Sequence, residues 1–181
     1  FNGNKIITTG GGGMLITNNY KLAEKCRYLS TTAKTNHPWE FNHTETGWND
    51  RMPNLNAALG VSQLETINDK LKMKNNLFQK YKQNISGIEG VELIKKDTKN
   101  LHNNWLINIR FKNKNKDEAF FLREKLLQKA HSQGIFLRPV WKLLNQLSMY
   151  KESPRSNLDI AEDQESRVLS LPSSPQLIVQ K

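Results

Sequence analysis

Apolar positions along the chain recur at two spacings, and the changes between them mark out the elements. Ile6 to Thr9 and Met14 to Thr17 are short β-favouring runs flanking Gly10-Gly11-Gly12-Gly13, which predicts a strand, a glycine turn and a second strand. Asn18 or Asn19 can cap a helix, and Leu22, Cys26 and Leu29 then follow at helical spacing to about Ser30, predicting its inner face. Thr31 to Asp50 has neither period. It is rich in Thr, Asn, His and aromatic residues, and a loop of that length inside a compact domain is more often functional than idle. Pro53 suits the first turn of a helix, and Leu55, Leu59, Leu64, Ile67, Leu71, Leu77, Phe78, Tyr81 and Ile85 carry an apolar stripe to about Ser86. Unbroken, that helix would run about 45 to 50 Å, long enough to bridge two domains.

After Gly87 and Gly90 the pattern changes again. Val91 to Ile94 and Trp105 to Phe111 read as strands, about Asp117 to Ser132 as a helix ended by Gly134, and Ile135 to Trp141 as a further strand. Short helices are predicted around Leu143 to Tyr150 and Ile160 to Val168, before a closing segment Leu169-Ser-Leu-Pro-Ser-Ser-Pro175. Strand, strand, helix, strand describes a small α/β layer with helices on one face.

Composition narrows the reading. With 181 residues, 36% of them hydrophobic, the chain can bury a core, which excludes fibrous, collagen-like and wholly disordered classes. The net charge of +10 and pI near 9.7 invite a polyanion partner. The surplus is local: between Asp69 and Lys129, thirteen Lys and two Arg face seven acids. There Lys70, Lys72, Lys74, Lys80 and Lys82 alternate with Leu71, Leu77, Phe78 and Tyr81, which predicts a solvated helix face. Twenty Lys against seven Arg, with no aromatic residues interleaved among the bases, argues against a phosphate-gripping or base-stacking surface. No apolar run is long enough to span a membrane and no signal-peptide pattern stands at the N-terminus, so a cytoplasmic protein without nucleic-acid or membrane partners is expected. A single cysteine, Cys26, with no paired histidines, offers neither an internal disulfide nor a metal site.

The candidate chemistry lies at the start of the chain. Gly10 to Gly13 lack both the Gly-Lys-Ser/Thr of a phosphate loop and the spacing of a dinucleotide fingerprint. Lys5 stands behind Asn2-Gly3-Asn4 at the mouth of the first predicted strand. The whole segment, Phe-Asn-Gly-Asn-Lys-Ile-Ile-Thr-Thr-Gly-Gly-Gly-Gly-Met from Phe1 to Met14, closely resembles the Schiff-base lysine segment of the DegT/DnrJ/StrS-type sugar aminotransferases, which depend on pyridoxal 5′-phosphate. The resemblance returns at Gly47-Trp-Asn-Asp-Arg-Met-Pro-Asn-Leu-Asn-Ala-Ala-Leu-Gly-Val-Ser-Gln-Leu64, at Arg138-Pro-Val-Trp-Lys-Leu-Leu144 and at Leu169-Ser-Leu-Pro-Ser-Ser-Pro175. Ordered blocks thus cover nearly the whole chain.

The resemblance implies an α/β fold, the C-terminal part of a fold-type I pyridoxal-phosphate transferase. Residues 1–85 would be the end of the large cofactor domain with the bridging helix, and 86–181 the small domain. It implies Lys5 as the catalytic lysine, binding the cofactor covalently and then shuttling a proton between substrate carbon and cofactor. It implies Asn49 as a contact to the cofactor phosphate of a second subunit, and hence a homodimer with shared active sites. Arg51 stands near phosphate or substrate by the same resemblance, or pairs locally with Asp50. Arg138 and Trp141 are implied as shaping the substrate pocket. His37 and His43 are loop histidines without a metal-spaced partner, and His102 and His131 have no case beyond surface or packing.

The expected reaction moves an amino group, by resemblance from glutamate, to a nucleotide-linked keto sugar in surface-polysaccharide or nonulosonic-acid biosynthesis. The Arg-Pro-Val-Trp and Leu-Pro-Ser-Ser-Pro wording is most similar to members acting on the way to legionaminic-type acids. In similar full-length enzymes an aromatic stack, an Asp at the pyridine nitrogen and a phosphate-binding helix end precede the lysine. The chain alone is therefore expected to be a fragment that binds cofactor weakly and is inactive. The rival reading is a basic module that binds nucleic acid or another polyanion through residues 70–129.

Overall fold

The structure, a computed structural model, describes residues 1–95, 100–113 and 115–178. The chain forms two compact units, Phe1–Ile67 and Asn68–Lys181.

In the first unit helix α1 spans Tyr20–Ser30, and Asn19 caps it by accepting a hydrogen bond from the Leu22 N–H at 3.1 Å. Its expected inner face is not buried: Leu22 is 46% exposed, and Cys26 and Leu29 are half-covered. Helix α2 spans Asn54–Glu65, with Pro53 at its N-cap. The strands predicted at Ile6 to Thr9 and Met14 to Thr17 do not form a ladder, because no other segment among the described residues pairs with them. In the first run the Thr9 N–H donates to the Phe1 carbonyl instead, and in the second Met14, Leu15 and Ile16 stand exposed.

The single long helix is interrupted. α2 ends at Glu65, Thr66 leaves helical geometry at φ −106° and ψ 8°, and α3 spans Ile67–Ile85. Two adjacent β-branched residues, Thr66 and Ile67, stand at the break, with the Thr66 hydroxyl donating to the Gln63 carbonyl at 3.3 Å.

The second unit is built on an antiparallel sheet of β1 (Val91–Leu93), β2 (Ile107–Phe111), β3 (Arg138–Pro139) and β4 (Val168–Leu171), in the order β1-β2-β4-β3. The register sets Ile109 opposite both Leu93 and Leu169, and Ile107 opposite Leu171. One sheet face is therefore apolar along alternate residues, while Arg110 bonds Glu92 and the Ser170 hydroxyl donates to Asn108 at 2.7 Å on the other. Helix α4 (Lys116–Ser132) lays Ala119 and Ala130 against Ile109, Phe111 and Leu169, and α3 lays Leu77 and Phe78 against Ile107. All these contacts fall on the face of Ile107, Ile109 and Phe111, so helices cover one side of the sheet as the sequence predicts. Helix α5 (Asp159–Arg167) is tied to α4 by the buried Arg123, which bonds the Glu165 carbonyl.

Three predictions for this unit are corrected. The closing segment from Leu169 begins in a strand that pairs on both sides and so is central to the sheet; it follows α5 without a turn, which hid it. The strand from Ile135 to Trp141 shortens to Arg138–Pro139, since Pro139 has no N–H with which to continue a ladder. The helix around Leu143 to Tyr150 is two 3₁₀ turns, Leu144–Gln146 and Ser148–Tyr150.

Candidate functional site

Lys5 sits in a tight turn pinned at one end. The Lys5 N–H donates to the Asn2 carbonyl at 3.0 Å, and the Thr9 N–H and Thr8 hydroxyl both donate to the Phe1 carbonyl at 3.1 Å. The pin is Thr9, 3% exposed. Its carbonyl accepts a hydrogen bond from the Asn56 side chain on α2, and a Cβ on Gly60 would stand 2.9 Å from its methyl. Asn56 and Gly60 are one helical turn apart, so one face of α2 seats the chain four residues beyond Lys5. Lys5 itself is exposed.

Asn49 is placed by a second device. The segment 31–50, a loop by sequence, folds into two limbs bridged at Thr31 with Asn49 and at Lys34 with His43. The Thr32 N–H donates to the Trp48 carbonyl at 2.9 Å, Trp48 to Leu29 at 2.8 Å, and Asp50 to Ser30 at 3.0 Å. At the centre Ala33 is fully buried, with Thr32 and Ala33 held at φ 67° and 50°. Gly47 makes this approach possible, since a Cβ there would lie 2.5 Å from the Ala33 nitrogen. The glycine that opens the second motif block is thus the residue that lets Trp48 and Asn49 lie along the end of α1.

Asn49 and Arg51 are both exposed just ahead of α2, and among the described residues Arg51 makes no salt bridge with Asp50. His37 and His43 serve the loop: the His37 ring nitrogen accepts from the Glu40 N–H at 3.0 Å, and His43 Nδ1 lies 2.7 Å from the Thr32 carbonyl. His131 packs similarly, its Nε2 being 2.8 Å from the Leu137 carbonyl. Among the described residues no group of acids, histidines and cysteine is arranged to hold a metal ion, and no helix is long and apolar enough to cross a membrane.

Arg138 and Trp141 belong to the second unit. Arg138 lies exposed on β3 opposite Ser170. Trp141 is 75% exposed, its ring centroid 6.2 Å from that of Trp105 with the planes 34° apart. Lys5, Asn49 and Arg51 thus lie in the first unit, and Arg138 and Trp141 in the second.

Two features escaped it. The Asn56 contact to Thr9, joining the two N-terminal motif blocks, has no sequence signal of its own. Lys74, expected on a solvated face, is 5% exposed, and its ammonium donates to the carbonyls of Trp105, at 2.9 Å, and Ser173. Burial pulls its pKa down to about 8. Lys74 lies three and four residues before Leu77 and Phe78, the signal that marks it as core-facing. Of the basic stretch, Lys96, Lys99 and Lys114 lie outside the described residues.

Residues 1–180 match the family model of the DegT/DnrJ/EryC1/StrS aminotransferases. The chain is similar to GDP-perosamine synthase of Escherichia coli O157:H7, 35% identical over 177 residues that make up 98% of this chain and 46% of that protein. The fold is shared with the aminotransferase TlmJ from Streptoalloteichus hindustanus, at a TM-score of 0.81 and 21% identity over 92% of this chain and 43% of that one. It is shared likewise with Helicobacter pylori PseC, an aminotransferase involved in the biosynthesis of pseudoaminic acid, at 0.79 and 21% over 89% and 43%. The chain spans less than half the length of each.

Proposed function

Because the chain belongs to the DegT/DnrJ/EryC1/StrS aminotransferase family, we propose that it carries the reactive-lysine part of an enzyme that moves an amino group to a nucleotide-linked keto sugar. The observation that carries this reading is the seating of the Lys5 turn on α2 through Asn56 and Gly60. Two motif blocks separated by more than thirty residues are thereby held in one unit with their polar residues outward.

The residues present fit pyridoxal 5′-phosphate, the cofactor of this family. Lys5 offers an exposed amine. Around it, a Cβ at Gly3, Gly11 or Gly13 would meet nothing within 4 Å, so the segment leaves open room for a flat group. When bound, the cofactor supplies the electron sink that amino transfer requires. Lys5 Nζ would hold the cofactor through its aldehyde and would carry a proton between the cofactor and the substrate carbon being aminated. The Asn49 amide would donate to a phosphate oxygen of the cofactor, in a second copy of the chain where the active sites are shared. Arg138 would offer a planar fork to the substrate diphosphate, and Trp141 would help to shape the substrate pocket. The amino donor is glutamate and the product belongs to a surface polysaccharide or a nonulosonic acid of the legionaminic type.

The test is borohydride reduction of the purified protein with pyridoxal 5′-phosphate, followed by peptide mass mapping. The adduct should fall on Lys5; Lys5→Ala should abolish the adduct in this chain and amino transfer in the complete enzyme that carries it. Amino transfer retained by that variant overturns the reading.

A further inference from the structure

Trp105 is gripped on both sides of its backbone before β2 begins. Its N–H donates to the Asn103 side-chain oxygen at 2.9 Å, and its carbonyl accepts from Lys74 Nζ at 2.9 Å. Neither bond is a ladder bond. The residue before it, Asn104, holds φ at 50°, is 8% exposed, and its side-chain nitrogen has no hydrogen-bond partner among the described residues. Left-handed backbone at a residue other than glycine and an unpaired buried amide are each unfavourable, and such costs persist where surrounding contacts over-determine the conformation.

Lys74 supplies that over-determination. It draws together α3, the turn before β2 and the segment after β4, its bonds to Trp105 and Ser173 spanning 31 and 99 residues of sequence. Both bonds go to main-chain carbonyls, so the buried ammonium fixes backbone position. Ser173 is held in addition, its hydroxyl accepting from the Ile107 N–H at 2.9 Å and donating to the Leu171 carbonyl at 2.7 Å.

The grip presents a ring. Trp105 is partly covered, and against it leans Trp141, three-quarters exposed, with 34° between the indole planes. An open indole backed by a second one is a wide π surface, whose best complement is another flat unsaturated ring. Arg138, exposed three residues before Trp141, adds a cation suited to phosphate.

We propose that Trp105 and Trp141 form a stacking seat for the base of a nucleoside diphosphate, with Lys74 as the residue that positions it. The proposal rests on the reading of the chain as part of a nucleotide-sugar aminotransferase and adds to it the base-recognition element, Trp105 and Lys74.

The test uses a chain in which Trp39 and Trp48 are replaced by Phe, leaving Trp105 and Trp141 as its only indoles. Titration with UDP and GDP should quench their fluorescence saturably, and inorganic pyrophosphate or free N-acetylglucosamine should not. Trp105→Leu should weaken nucleotide binding about tenfold, the loss of one stacking partner, and Trp105→Tyr should recover most of it. Lys74→Met should diminish the exciton couplet of the paired indoles in circular dichroism, and weaken nucleotide binding, with the helical signal unchanged. Quenching unaltered in Trp105→Leu, or reproduced by pyrophosphate, overturns the seat. So does absence of quenching in a protein whose Lys5 takes the cofactor adduct, which leaves the functional reading standing. Quenching without an adduct on Lys5 would instead retain the seat and overturn that reading.

Discussion

The two units are ordered by different forces. Of the buried apolar side chains, only Ala33 lies in Phe1–Ile67, whereas Leu77, Phe78, Ile107, Ile109, Phe111, Leu137, Val168 and Leu169 lie in Asn68–Lys181. The first unit leaves Met14, Leu15, Ile16, Trp48, Leu55 and Leu59 exposed, and holds its shape with main-chain bonds, the Asn56 contact and glycines that permit close approach. The contrast separates two meanings of hydrophobic periodicity. In α4 and β2 it marks a face buried within the chain; in α2 it marks a face whose complement these residues do not supply. The residues that carry the chemical argument, Lys5 and Asn49, belong to the region with little core.

The largest test of the contrast compares one leucine from each region. Leu169→Ala, at a fully buried site facing Ile109, should cost about 3 to 5 kcal/mol, and Leu55→Ala, 83% exposed, less than about 0.5, read by urea unfolding. Equal costs would break the comparison. A second substitution sharpens it from the other side. Gly47→Ala forces a methyl onto the Ala33 nitrogen and should cost about 2 to 3 kcal/mol, with loss of hydrogen-exchange protection at the Thr32 and Trp48 amides. Retained protection there would mean that something besides close approach orders the loop.

The smallest effect is electrostatic. Lys74 titrates near 8 in the folded chain against an ordinary value of 10.5. Below pH 8 both states hold the proton and the group adds no pH dependence; between 8 and 10.5 only the unfolded chain holds it, so stability rises with pH. Lys74→Met removes this term. Its penalty should therefore be larger at pH 9.5 than at pH 7, by about 1 to 2 kcal/mol, and the Tyr81 hydroxyl, raised by burial and bonded to the Pro172 carbonyl, cancels in the difference. A penalty independent of pH would show that the ammonium keeps its proton on burial.

Much of the fold was legible in the sequence, for reasons that the misses clarify. α1, α4 and β2 announce themselves by caps and period, Asn19 and Asn115 bonding the first turns of their helices. β4 does not, because Val168 follows Arg167 with no turn between helix and strand. The runs flanking the glycines have strand composition, but strand structure is a property of pairs, and no partner stands among the described residues. Lys5, Asn49 and Arg51 stand out as candidates because their motif blocks are contiguous in sequence. Trp105 was not, since its importance arises from bonds to residues 31 positions away and from a ring 36 positions away.

Pro139, which cuts β3 short, has a consequence beyond the length of that strand. β3 forms one margin of the four-stranded sheet, and a proline there has no N–H to offer to an incoming chain. A strand only two residues long, half of it proline, makes a poor template for cross-β growth. The core of the second unit is thereby guarded against edge-to-edge polymerisation on that side by the same Arg-Pro pair that carries the family motif.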